Sequence, residues 1–325
     1  MNGVHIPFPE RFPSLRHFTE LPSEPTVERV SKVTPATDQI EGDQHGTEAK
    51  EGQQSGLVSK GFKRNKSALA DLTYPPLNVL KPVCRDIWIV DGPLIGFGAL
   101  GIRLPFPTRM TIVRLEGGLF IHSPTVLSPT LRAAIDDLGT PQWIIGPNTI
   151  HYWWVGEWKR AFPNACVFLA PGIPKRAKRR VDYPFVTLDH DTAWPWCHQL
   201  KTWVIRGNGI TEVDFFHHAS KTLILTDLIE NFEADKIGSR WMRWLIRLGG
   251  TLDPFGGMPR DMRLAYWRNR GRLRAAVQEM IALAPHRVIL AHGRWYRNDG
   301  TAQLRRAFHW LLPGSPTAEP IPKPQ

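Results

Sequence analysis

The chain has 325 residues, 42% of them hydrophobic and 22% charged, a balance that supports one large core or two ordinary ones. No run of about 18 apolar residues occurs, which argues against a conventional membrane-spanning helix, and the N-terminus shows no basic-then-apolar secretory signal. Cys84, Cys166 and Cys197 are the three cysteines; with no CxxC pair they exclude a disulfide scaffold and a thiolate zinc ribbon, and suggest a reducing cytoplasm as the setting. The net charge of +11 is uneven: residues 1–74 hold 9 basic and 10 acidic residues, the remainder 32 and 20. The expected partners of the basic portion are anions: a small anionic substrate, an anionic membrane surface or nucleic acid. For nucleic acid, nothing beyond charge speaks.

Residues 1–73 scatter Pro, Ser, Glu, Gln and Gly without periodicity, as in TPATDQIEGDQHGTEAKEGQQSG. Such composition cannot bury enough apolar surface to offset chain entropy, and a disordered leader is expected. A short docking peptide around His5, Phe8, Phe12 and Phe18 is the counter-reading. From Tyr74 the texture changes to short β-rich runs: RDIWIVDG, TRMTIVRLEGGLFIHSP, PQWIIGPN, ACVFLAPG, KTWVIRGN, TEVDFFHHASKTLILTD and HRVILAHG. Gly117 and Gly118 separate two alternating runs and predict a hairpin; Ala219 to Lys221 predict the turn of a second. Helical patterns lie between: SPTLRAAIDDLG, VGEWKRAFP and RLRAAVQEMIALAP, the last with Leu273, Val277, Met280 and Ile281 at helical spacing before Pro285. Strands and helices mix without strict alternation and hairpins come first. A two-sheet α/β sandwich over 74–312 is therefore expected rather than a doubly wound sheet, with a loose Pro-rich tail over 313–325.

Several polar residues fall at the ends of predicted strands, where side chains leave the core and can converge. They are His122 (LFIHSP), Asn148 and His151 (IIGPNTIH), Asp227 (LILTD) and His292 (VILAHG). Three imidazoles and a carboxylate form the ligand set of a zinc or iron site, and rigid strand ends hold ligands to the tolerance a metal requires. Taken singly, each is also an ordinary loop residue or cap.

Together, LNVLKPVCRDIWIVDGP, GGLFIHSPT, GPNTIH followed by GEWKRAFPNA, FFHHASKTLILTDLIENF and VILAHG resemble the metallo-β-lactamase fold superfamily. Within it they resemble the branch called domain of unknown function 4336. The resemblance implies a four-layer αββα sandwich of the metallo-β-lactamase type from about Tyr74 to Leu312. By the same resemblance Asp227 corresponds to the superfamily's bridging metal carboxylate and His292 to its last histidine ligand. The superfamily's HxHxDH motif is replaced by GPNTIHYWW, which keeps only Asn148 and His151. The strand that usually ends in an Asp ends in His122, and the stretch expected to carry a middle histidine, IRGNGI, offers Asn208 instead. A dinuclear site is thus not intact. The resemblance then implies a metal-dependent hydrolase with a reduced, mononuclear site holding zinc, iron or manganese. Its ligands would be His151, Asp227 and His292, with His122 as a fourth and Asn148 orienting water or substrate. The alternative is a metal-free binding or membrane-peripheral protein on the same fold.

Other signals are weaker. His217 and His218 are adjacent on a strand, point to opposite faces and are expected on a hairpin surface. Asp189, His190 and Asp191 lack the Gly and Glu of a calcium loop. Lys175 to Arg180 (KRAKRR) reads as a solvated loop, the alternative being contact with nucleic acid or phosphate. From Lys236 to Arg274 ten basic residues face two acids, Asp253 and Asp261, within a basic helical insertion at about 230–285. Ile237, Trp241, Trp244, Leu245 and Leu248 form one helical stripe and Arg240, Arg243 and Arg247 lie off it. The expectation is that this stripe packs on the core; the alternatives are an anionic membrane interface and a lid bringing arginines to an anionic substrate.

Overall fold

The computed structural model describes residues 72–97, 104–177, 181–189 and 193–312. The expected leader (apart from its last two residues), the end of the KRAKRR run, His190, Asp191 and the Pro-rich tail lie outside the described residues. Two long strands open the domain. β2 (Ile87–Phe97) pairs antiparallel with β1 (Lys81–Cys84) on one side and with β3 (Leu104–Leu115) on the other. The first predicted hairpin forms between β3 and β4 (Gly118–His122), in register Thr111 to His122 and Leu115 to Gly118. From β4 onward the sheet turns parallel through β5 (Pro141–Gly146), β6 (Cys166–Leu169) and β7 (Val186–Thr187).

Parallel pairs need crossovers, and three helices supply them: α1 (Pro129–Leu138), α2 (Val155–Ala161) and α3 (Ile173–Ala177). α1 begins where the Ser128 hydroxyl accepts the Leu131 N–H at 3.1 Å, satisfying one of the orphan donors of a helix start. It buries Leu131 and Ile135, one turn apart.

The second sheet has four strands in the order β11-β10-β9-β8. β8 (Leu200–Arg206) and β9 (Thr211–His217) are antiparallel, β9 turns through residues 218–221 into β10 (Thr222–Ile224), and β11 (Arg287–Ile289) joins β10 in parallel. That 218–221 turn is the second predicted hairpin. Between β10 and β11 the chain forms α4 (Arg240–Gly249), α5 (Arg260–Ala265) and α6 (Arg270–Ala282), and α7 (Gly300–Ala307) follows β11.

Packing sets the layers. One core joins the first sheet to Trp158, Leu131 and Ile173 of its helices and, on the inner side, to Val213, Phe215, Ile224 and Ile289 of the second sheet. Trp196 sits in this core edge-on to Phe120, Phe168 and Phe215. A second core joins the other face of the second sheet (Trp203, Phe216, Leu223, Val288) to Leu273, Val277, Met280 and Leu304 on α6 and α7. The order is helix, sheet, sheet, helix, the expected αββα sandwich. Removing a buried ring between the sheets such as Phe215 costs about 3–5 kcal/mol, so the interior helps fix how the sheets lie on each other. No helix among the described residues is long and apolar enough to cross a membrane.

Two expectations are corrected here. His217 is buried, with its Nδ1 2.8 Å from the Ser220 hydroxyl; only His218 is exposed. And α4 does not pack its tryptophan stripe. Met242 and Ile246, one turn apart, face a third cluster with Leu72, Phe232 and Ile237, which turns Trp241, Trp244 and Leu248 outward.

Candidate metal centre

His122, Asn148, His151, Asp227 and His292 lie at or just beyond the C-terminal ends of β4, β5, β10 and β11. β4 runs parallel to β5 and β10 parallel to β11, so each sheet brings two such ends out on one side. An isolated bridge between Asn148 and Glu212 ties the two sheets there.

Three donor atoms converge. His151 Nε2 is 3.2 Å and His292 Nε2 3.1 Å from Asp227 Oδ1, and the two Nε2 atoms are 3.1 Å apart. All three residues are buried. Their tilt is set from outside. The Pro107 carbonyl can only accept, so His292 Nδ1 donates to it, at 2.7 Å, which turns the Nε2 lone pair inward. His151 Nδ1 lies 2.8 Å from the Ser123 hydroxyl. The other oxygen of Asp227, Oδ2, accepts the Asn148 side-chain amide at 2.7 Å, leaving Oδ1 to the imidazoles.

The supports run a shell further out. Asn148 Oδ1 accepts the N–H groups of Ile150 and His151 at 2.8 and 2.9 Å, forming the turn that presents His151. Glu212 accepts the backbone N–H groups of Thr226, Asp227 and Leu228 at 2.9 to 3.2 Å, fixing the loop that carries Asp227. Arg109 is buried against Asp91, and its Nη1 donates to the carbonyls of Leu290 and Gly293, both at 2.8 Å. Those carbonyls flank His292. Gly293 is in the left-handed region at φ +83, and a Cβ there would stand 2.1 Å from the Asn231 carbonyl oxygen; the glycine of the LAHG motif is required for this close approach.

Electrostatics follow from burial and proximity. Burial disfavours the charged form of His151, but the Asp227 carboxylate beside it and Glu212 raise its pKa above the ordinary imidazole value. Burial likewise works against ionised Asp227, and His151 and His292 outweigh it, holding the carboxyl well below the usual range. Glu212 is pushed up by burial and by Asp227, and Asp214 further still, by burial and by Glu212.

Two assignments from sequence change. His122 is outside the converging group: its ring packs edge-on to Phe215, and burial, then His151, press its pKa down to about 3. Its Nε2 is buried without a hydrogen-bond partner. Asn148 is fully buried, and its amide and carbonyl are engaged with Asp227, Thr226 and the turn at His151. Asn208 is exposed, away from the group. Ser123, Glu212, Glu230 and Arg109 were not singled out from sequence.

A cavity of about 230 Å³ adjoins the group. Asp227 and His292 line it together with Glu230, Phe106, Phe232 and Ile246. Burial drives the Glu230 carboxyl up to about 8 against the opposing pull of His292, so near neutral pH it carries a proton it can donate.

Residues 86–237 match the family model described as Domain of unknown function (DUF4336). The match takes in His122, Asn148, His151 and Asp227 and ends before His292. No curated protein matches the chain. Among solved structures, the DIM-1 metallo-beta-lactamase exposed to ceftazidime is similar at 13% identity and TM-score 0.48, over 74% of this chain and 97% of that one. A metallo-beta-lactamase from Pontibacter korlensis is similar at 14% identity and TM-score 0.47, over 72% and 98%. The rubredoxin oxygen:oxidoreductase from Desulfovibrio gigas is similar at 13% identity and TM-score 0.48, over 72% and 61%.

The donor set fits one metal ion. Tetrahedral ligands at about 2.05 Å from zinc stand roughly 3.3 Å apart, close to the 3.1–3.2 Å separations of the three atoms. Two imidazole lone pairs and a carboxylate oxygen repel at such distances unless a cation or a shared proton lies among them. Among the described residues, no further His, Cys, Asp or Glu joins the group.

Proposed function

We propose that this chain is a metal-dependent hydrolase with a single divalent ion, zinc, iron or manganese, held by His151, Asp227 and His292. The observation that carries the reading is the convergence of those three buried donors, each oriented from behind by Ser123, Asn148 or Pro107, beside a cavity. Three protein ligands leave an open position, the arrangement of catalytic rather than structural zinc. When bound, such an ion supplies Lewis acidity, polarising a carbonyl or phosphoryl oxygen and acidifying water to a pKa of about 7.

The protein's own groups do the rest. Asn148 holds the Asp227 carboxylate and Glu212 the loop that carries it, and partners that orient a ligand in this way are worth about 10–100-fold in metal affinity. Phe106, Phe232 and Ile246 give the cavity an apolar wall that accepts the apolar part of a substrate. Glu230, on the cavity wall beside Asp227 and His292 and favoured by burial in its protonated form, donates a proton to a leaving oxygen or nitrogen across the cavity.

The test is elemental analysis of the purified protein beside Asp227→Ala and His292→Ala variants shown to be folded by circular dichroism. Near-stoichiometric metal in the wild type alone supports the reading and directs a screen of esters, amides and phosphodiesters. A wild type that takes up no metal on reconstitution overturns it.

A further inference from the structure

Besides the Met242 and Ile246 side that packs inward, α4 has a second apolar face that the core does not use. Its outward face carries Trp241, Trp244 and Leu248, at 55%, 60% and 42% exposure, within about 60° of one another on a helix of 3.6 residues per turn. Next to that face stand Arg240 and Arg247, both exposed, and among the described residues neither makes an ion pair or side-chain hydrogen bond. The helix contains no acid, and Arg240 occupies its first turn, where the macrodipole disfavours a cation. Ser239 precedes it without capping it. Of these choices helix stability would select only Arg247, in the last turn.

On its other flank the aromatic face runs into Leu245, which with Met242, Ile246 and Gly249 lines the cavity described above. Around the helix, arginines give way to exposed tryptophans and these to the rim of the cavity. Tryptophan with flanking arginine is the composition of a segment lying at headgroup depth, with rings among the acyl boundary and guanidiniums against phosphates. Nucleic acid would call for a longer track of cations without the intervening apolar face. A two-fold contact between copies would bring the arginines of both helices into one interface with no acid on α4 to receive them.

We propose that α4 is a docking surface for an anionic lipid bilayer, seating Trp241, Trp244 and Leu248 at the headgroup level and turning the rim of the cavity toward the membrane. The proposal stands whether or not the three-donor group binds a metal.

The experiment is flotation of the full-length protein with vesicles of phosphatidylcholine alone and of phosphatidylcholine with an equal share of phosphatidylglycerol, at low and at about 150 mM salt. The wild type is expected to float with the anionic vesicles only, and less at the higher salt. Arg240→Ser/Arg247→Ser should weaken partitioning about thirtyfold, from roughly fivefold per cation. Trp241→Ser/Trp244→Ser should abolish it at both salts. Arg85→Ser/Arg305→Ser, two exposed arginines elsewhere with the same charge change, should float as the wild type does. Circular dichroism checks that all variants fold. No flotation of the wild type at low salt overturns the proposal, as does equal loss in the remote arginine variant. Light scattering showing a dimer that Trp241→Ser/Trp244→Ser dissociates, without flotation, overturns it in favour of a contact between copies.

Discussion

Arg109→Met tests how the position of His292 is enforced. The arginine is 2% exposed at its side chain and meets Asp91, 4% exposed, at 2.7 Å, while its other amino group holds the Leu290 and Gly293 carbonyls. Removing one partner of a buried ion pair costs about 3–5 kcal/mol. The two carbonyls lose their charged donor in the same step, and because the losses overlap a total of about 4 kcal/mol is expected. Lys81 stays on Asp91 at 2.7 Å and keeps the loss from going higher. With a urea dependence of about 2 kcal/mol per molar, the unfolding midpoint should fall by roughly 2 M. The double variant Arg109→Met/Asp91→Leu removes the carboxylate as well and frees Lys81, 22% exposed at its side chain, to turn to solvent, so about half of the loss should be regained. Metal affinity should fall in both, since neither restores the grip on the carbonyls beside His292. A single variant within about 1 kcal/mol of wild type, or a double variant no more stable than the single, would refute the reasoning.

Asn148→Ala should lower metal affinity about 10–100-fold in a chelator competition while leaving the fold intact; unchanged affinity would mean that Asp227 is positioned without it. Glu230→Gln should leave metal content unchanged and reduce kcat on any substrate found, removing the alkaline limb that the raised Glu230 carboxyl contributes, and a pH–rate profile is the check. Metal loading at fixed free ion should fall with falling pH, because protons compete for the imidazoles. His151 keeps its proton to a pH above the ordinary 6.5, so the fall should begin above that value in a calorimetric titration. Gly293→Ala, with its Cβ forced toward the Asn231 carbonyl, should destabilise the protein by more than about 1 kcal/mol and reduce metal uptake.

The strands, both hairpins and the three converging residues could be read from the chain because each is announced locally: alternation, a Gly-Gly turn, a polar residue after an apolar run. Glu212 and Asp214 could not. In TEVDFF they alternate with Val213 and Phe215, which reads as a solvated face opposite a buried one. The structure covers that face with Tyr266 and α6; both acids are buried, and Glu212, which looks like surface, supports the Asp227 loop. α4 failed for a related reason. Its sequence carries two apolar arcs, Trp241–Trp244–Leu248 and Met242–Leu245–Ile246, and periodicity alone does not say which one meets the core. Contact with Phe232 and Ile237 decides it, and neither the contact nor the cavity beneath has any signature in the spacing. His122 follows the strand-end rule yet turns toward Phe215; the rule gives a position, not a direction.

His151 is carried by the first sheet and Asp227 and His292 by the second, at separations of 3.1 to 3.2 Å. One residue along a strand is about 3.3 Å. A slip of a single residue between the sheets would therefore displace the donors by their whole spacing. The three atoms act as a vernier across the sandwich, and a metal titration would read the alignment of its two halves, including any shift caused by a substitution deep in the shared core.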